Sequence, residues 1–237
     1  MIGGIAYGKG ANEKLDLFLP KNSSGSDPVH LFIHGGYWRM FSKDDFSFIA
    51  DTVTAANAIA VIVDYDLMPE VRLNAIVAQI RNAVRWLTTN IGTYGGDAGQ
   101  FSVSGHSAGA HLATFTFCEG ADVPRPTTAL LLSGIYDLKP LQSSFLQPLI
   151  GLTDHEVAEF SPLLLQHEAG TRVAVAYGEL ETEPFKDQGS GFARHLARKG
   201  LSVTTHVLQQ ADHMSAVRDL GIPGSTAGEL LLRSIRG

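Results

Sequence analysis

Gln100-Phe-Ser-Val-Ser-Gly-His-Ser-Ala-Gly-Ala-His-Leu-Ala113 is the stretch from which the rest of the chain is read. A short apolar run (residues 101–103) leads into Gly105-His106-Ser107-Ala108-Gly109, and Ala-rich sequence of helical character follows (residues 110–117). The pattern predicts a strand, a cramped turn and a helix, with Ser107 at the apex. Gly105 and Gly109 lack the Cβ atoms that would collide with the neighbouring strand and helix. The Ser107 hydroxyl is therefore expected at the carboxyl end of a sheet, beside N–H groups suited to a developing negative charge.

A serine hydroxyl needs a base to take its proton and an acid to hold that base in the right tautomer. In sheets of this kind the chain order is Ser, then Asp or Glu, then His. Of nine histidines, only His213 falls after the last expected strand and beyond every candidate acid, and it is expected in a loop. His106 and His111 flank the serine turn and read as structural. The acid lies among Glu179, Glu181 and Glu183, three carboxylates in five residues. Crowded acids repel, so the one beside an imidazolium is stabilised while the others prefer water. Glu181 is expected in that role, although position alone does not separate the three. Upstream, His34-Gly35-Gly36 follows an apolar run, and glycines let the backbone approach an acyl oxygen. Gly35, Gly36 and Ala108 are the expected oxyanion donors. Tyr37, Trp38 and Phe41 come next and read either as an aromatic substrate pocket or as core and lid packing.

Further strands are expected at residues 13–19 (an edge strand, closed by Pro20), 29–33, 58–63, 128–132, 172–177 and 202–208. Helices are expected at residues 42–56, capped by Ser42, and at 70–90, 184–199 and 226–235. Strands alternating with helices in short apolar runs predict a mostly parallel central sheet with helices on both faces, in one α/β domain covering residues 1–237. Residues 139–165 are irregular and long enough only for a small cap.

The chain is 44% hydrophobic and 18% charged, with net charge −6. That balance argues against a broad nucleic-acid surface, which needs clustered Lys and Arg. One cysteine, Cys118, permits no internal disulfide, and it is expected as a buried residue on the helix after Ser107. No signal peptide and no membrane-length apolar run are read, so a cytoplasmic location is expected. A homodimer is compatible with the sequence.

His34-Gly-Gly-Tyr-Trp38 together with Gly105-His-Ser-Ala-Gly109 resembles the α/β-hydrolase superfamily, and within it the arylformamidase (kynurenine formamidase) branch and related esterases that carry HGGxW. The likeness extends over nearly the whole chain, through Leu15-Asp16-Leu17, Asp64-Tyr65, Tyr94-Gly95-Gly96-Asp97, Ser133-Gly134-Ile135-Tyr136-Asp137-Leu138 and Ser161-Pro162. It implies an α/β-hydrolase fold and hydrolysis of a formamide, ester or similar acyl bond through an acyl-enzyme, without metal or organic cofactor. A family motif resembling G-x-x-[DE]-x-x-E-F falls on residues 178–185 and places the acid at Glu181. The chain departs from it in reading Glu183-Pro184-Phe185 where Pro-Glu-Phe is usual. A metal-dependent type of kynurenine formamidase carries an unrelated His-rich signature that this chain lacks. Two further readings stand beside arylformamidase activity: a carboxylesterase or thioesterase on short acyl chains, and a non-catalytic small-molecule-binding homologue.

Overall fold

In the computed structural model, which describes residues 1–237, eight strands lie side by side in the order β1-β2-β4-β3-β5-β6-β7-β8. They are β1 (Ile2–Ala6), β2 (Lys14–Phe18), β3 (Asp27–Ile33), β4 (Ile59–Val63), β5 (Gly96–His106), β6 (Thr128–Leu132), β7 (Arg172–Gly178) and β8 (Val203–Leu208). β1–β2 and β2–β4 pair antiparallel, and every pair from β4 through β8 is parallel. β2, expected at the edge, is covered by β1. Its Leu15 and Leu17 face the main core and are fully buried. β1 itself is mostly exposed and contains two glycines, so it offers no alternation by which the sequence could reveal it.

The central strands are apolar on both faces because helices cover both. α2 (Leu73–Asn90), α3 (Ala108–Thr114) and α6 (Glu183–Arg198) pack on one side, where Val29, Leu31 and Ile33 of β3 meet Ile76, Ile80, Leu112 and Phe192. α1 (Ile49–Ala55), α7 (His213–Leu220) and α8 (Thr226–Arg236) cover the other, where Phe32 and Ile62 meet Ile49, Val53, Val217 and Leu231. The helix expected over residues 42–56 is split: Ser42 starts a 3-10 turn (Lys43–Phe46), and α1 begins only at Ile49. α3 is also shorter than expected. Cys118 lies beyond its end, buried, in an isolated bridge with His167.

β3 sits between β4 on one side and β5 on the other. The chain leaves β3 towards one edge through α1 and crosses back to β5 through α2. The loops after β3 and β5 therefore diverge and open a crevice at the carboxyl ends of these strands, the usual place for a ligand in an open α/β sheet. His34-Gly35-Gly36 and Ser107 stand on its two sides. Above it, residues 139–165 form a small cap that includes α4 (Gln147–Ile150) and α5 (Asp154–Phe160). Arg72, at the N-terminus of α2, ties the cap down. Its guanidinium pairs with Glu156 and donates to the carbonyls of Ile150 (2.9 Å) and Gly151 (2.8 Å).

His30 of β3 is completely buried, with its ring nitrogens 2.8 Å from Ser102 Oγ and 2.6 Å from Ser104 Oγ. Burial lowers its pKa to about 3 from the ordinary 6.5. The unfolded chain thus binds a proton that the fold refuses, and the stability held by neutral His30 is complete above about pH 6.5 and lost as pH falls towards 3. A His30→Gln variant is expected to be less stable at pH 7 but to lose less of its stability between pH 7 and pH 5 than the wild type. Urea unfolding at both pH values checks this, and equal losses in the two proteins contradict it.

Candidate active site

Ser107 follows the last residue of β5 and precedes α3, with φ 56° and ψ −119°. A side chain in that region is strained, and it is held there because the surrounding turn permits nothing else. The glycines show why. A Cβ on Gly109 would lie 2.0 Å from the Ile33 carbonyl oxygen, and one on Gly105 would lie 2.2 Å from the Gly109 oxygen. The turn is seated on the end of β3 at a distance that no other residue tolerates.

His213 and Glu181 reach this point from the two outer strands. Gly178 ends β7, and the following turn buries Glu181 while leaving Glu179 and Glu183 exposed. Glu179 accepts from the Gln210 N–H at 2.9 Å, and Glu183 pairs with Lys186 at 2.8 Å. Glu181 Oε2 lies 2.9 Å from His213 Nδ1, while Oε1 accepts from Ser133 Oγ (2.5 Å) and the Gly178 N–H (2.7 Å). Burial alone would raise the Glu181 pKa, but the hydrogen bonds from His213, Ser133 and Gly178 outweigh it and hold the carboxyl below its ordinary value. Glu181 is therefore a carboxylate at neutral pH and accepts a hydrogen bond from Nδ1–H, leaving His213 Nε2 as the nitrogen without a proton.

His213 is not in a loop, as the sequence suggested, but is the first residue of α7. Asp212 caps that helix, accepting from the Met214 and Ser215 N–H groups, and Ser215 closes the capping box. Asp212 and Ser215 ahead of Ala216, Val217 and Leu220 were the readable signal. Ser107 and His213 line one cavity of about 200 Å³, together with Gly36, Tyr37, Met40, Phe41, Phe46, His106 and Met214. Their side chains are not hydrogen-bonded to each other, a looseness common in hydrolase sites before substrate tightens them. Larger clefts, about 490 Å³ beside β2 and α1 and about 280 Å³ under α8, contain none of these groups.

The N–H groups of Gly35 and Gly36 donate to no acceptor within the protein, and that of Ala108 belongs to the first turn of α3, where no intrahelical acceptor exists. All three are free to bind an oxyanion. Of the expected pocket residues, Tyr37 and Phe41 line the cavity, but Trp38 does not. Trp38 is fully buried, and its Nε1–H donates to His111 Nδ1 at 3.1 Å, while His111 Nε2–H donates to the Phe160 carbonyl at 2.8 Å. That relay fastens the glycine loop to α3 and to α5 of the cap. Burial lowers the His111 pKa to about 4, keeping the ring neutral and able to accept from the indole. In the sequence Ser133 stands out only as the first residue of the family-like stretch 133–138. Its bond to Glu181 depends on a fold contact 48 residues away.

A strained serine on a glycine turn, a buried Glu–His pair and free backbone donors across a switch-point crevice define a hydrolase-type fold and site. The chain belongs to the α/β-hydrolase fold family, whose model matches residues 30–217. The kynurenine formamidase of Danio rerio is 32% identical over 240 residues, a match covering 98% of this chain and 80% of that protein. The crystal structure of a candidate thioesterase from Silicibacter sp. TM1040 superposes with a TM-score of 0.85 at 25% identity, covering 99% of this chain and 85% of the other. A thermostable esterase from Pseudomonas putida ECU1011 shares the fold with a TM-score of 0.74 at 24% identity, over 94% and 76% of the two chains.

Gly109→Ala forces a methyl group into the carbonyls of Ile33 and His34. It is expected to cost about 1–3 kcal/mol or more of stability, read as a fall in the urea midpoint. An unchanged midpoint would show that the turn is not seated as described.

Proposed function

We propose that this protein hydrolyses a small acyl bond through an acyl-enzyme, with arylformamidase-type cleavage of an N-formyl aryl amide as its main activity. Ser107 attacks the carbonyl carbon as His213 Nε2 takes its proton. Glu181 holds the ring and balances the imidazolium that forms. The tetrahedral oxyanion is received by N–H groups of Gly35, Gly36 and Ala108. His213 then returns its proton to the leaving amine, and water repeats the sequence in reverse to free the acyl group.

The observation that carries this reading is the buried Glu181–His213 bond opening into the cavity that holds Ser107. The kynurenine formamidases matched over nearly the full chain support the choice of a formamide. Tyr37 and Phe41 supply an aromatic wall for the leaving group. The partner is thus a small-molecule amide or ester. No helix is long and apolar enough to cross a membrane, and the cytoplasmic location expected from the sequence is part of the same proposal.

A second reading, an esterase or thioesterase of short acyl chains, has its own support. The cavity lining contains no carboxylate, ammonium or guanidinium, so nothing within it pairs with the charged groups of an amino-acid substrate. That lining suits a neutral ester.

A fluorophosphonate probe is expected to label the wild type and not Ser107→Ala, as read by mass spectrometry of the adduct. Labelling of the variant would remove Ser107 from the mechanism. kcat/KM on N-formyl-L-kynurenine is expected to exceed that on short p-nitrophenyl esters relative to their spontaneous hydrolysis. Background formamide turnover beside good ester turnover would establish the second reading instead.

A further inference from the structure

His106 precedes Ser107 and is 2% exposed at the end of β5. Its Nε2 lies 2.9 Å from the backbone carbonyl of His213, and the two imidazole rings have centroids 4.4 Å apart, inclined at 46°. A carbonyl only accepts, so Nε2 of His106 carries the proton and donates it. The opposite side of the residue forms a wall for the glycine loop. A Cβ on Gly35 would lie 2.7 Å from the His106 carbonyl oxygen and 3.1 Å from Nδ1.

Proton transfer from Ser107 needs the reactive nitrogen of His213 within hydrogen-bond reach of the hydroxyl. The bond from His213 Nδ1 to Glu181 fixes one end of the ring, and the Asp212 cap and the buried Ala216, Val217 and Leu220 seat α7 as a whole, but neither ties the His213 backbone to the serine turn. His213 opens the short helix α7, which packs on α8 and β7 over one face of the sheet, while Ser107 stands at the end of the central β5. The His106 bond joins these two backbones directly, through a residue covalently attached to Ser107.

Resting on the serine-hydrolase reading, we infer that His106 is a positioning residue: its Nε2–H holds the His213 backbone against the nucleophile turn, so that the base meets the hydroxyl when substrate binds. The ring is suited to this task. Burial, and then the neighbouring His213, push its pKa well below the ordinary value. It therefore stays neutral and adds no positive charge beside the imidazolium that His213 becomes. The role also explains why an imidazole stands at a position that the turn geometry leaves open to many residues.

The test uses the full chain, with His106→Phe to keep a buried ring without a donor and His106→Gln to restore a donor N–H at similar reach. Steady-state kinetics on the preferred ester or formamide are paired with the rate of fluorophosphonate labelling. His106→Phe is expected to lose about 10²-fold in kcat, the scale of an ångström-sized misplacement of a reacting group, with KM little changed and labelling slowed in step. His106→Gln is expected to recover most of both rates. His106→Met replaces the Phe variant should that one fail to fold. A donor-free variant with wild-type kcat overturns the inference, and so does equal impairment of the donor-free and Gln variants, which would mean that only packing matters. Wild-type protein that the probe does not label overturns the serine-hydrolase reading and this role with it, whereas a labelled wild type beside an unimpaired Phe variant overturns this role alone.

Discussion

A carboxylate taken out of water costs several kcal/mol unless the protein replaces its hydration. Glu181 is such a group, and the molecule surrounds it with three donors from three separate segments. The Gly178 N–H comes from the end of β7, the Ser133 hydroxyl from the end of β6 and the His213 imidazole from the start of α7. Each donor is useful only if its strand end lies in register with the others. Ser133 is itself held in place by its N–H, which donates to the Ala176 carbonyl of β7 at 2.8 Å. The buried charge thus makes the carboxyl edge of the sheet a single electrostatic unit. Removing one donor leaves a buried charge under-solvated, a larger loss than one ordinary hydrogen bond.

Around that unit the sheet supplies position and the glycines supply closeness. The reversal of strand order at β3 opens the crevice, and the contact of Gly109 with the Ile33 carbonyl brings the Ser107 turn against its wall. On the opposite wall the glycine loop is held from behind by the Trp38–His111–Phe160 relay. His34 assists from the same side, stacked on Tyr65 at 4.3 Å while the Tyr65 hydroxyl donates to its carbonyl at 2.8 Å. Ser107 and His213 therefore adjoin regular elements, and the small cap contributes Phe145 at the edge of Tyr37 and the Phe160 carbonyl that anchors the relay. Under the proposed acyl transfer, such an arrangement is preorganised for the charge that develops rather than for a large substrate.

Much of this was legible in the residues. The serine turn could be read because its requirements are local: two glycines, a short apolar strand before it and helix-forming sequence after it. The parallel core could be read because strands buried on both faces are continuous apolar runs. What escaped depends on contacts distant in sequence. β1 lacks an apolar face and exists only by pairing with β2. Trp38 looked equally suited to pocket or core, and only the location of His111 decides it. Glu179, Glu181 and Glu183 are alike in composition, and the turn after β7 separates them by burying one. The departure from the family motif at Pro184 leaves that turn intact, since proline is well tolerated in the first turn of α6.

The buried carboxylate of Glu181 holds the Nδ1–H side of His213. Proton NMR of the imidazole Nδ1–H tests it most directly, because a hydrogen bond to a buried carboxylate shifts that resonance far downfield and shields it from exchange. A downfield signal is expected in the wild type, retained in Glu179→Gln and Glu183→Gln and lost or moved strongly upfield in Glu181→Gln. An unchanged signal in Glu181→Gln, or its loss in either of the other two variants, would contradict it.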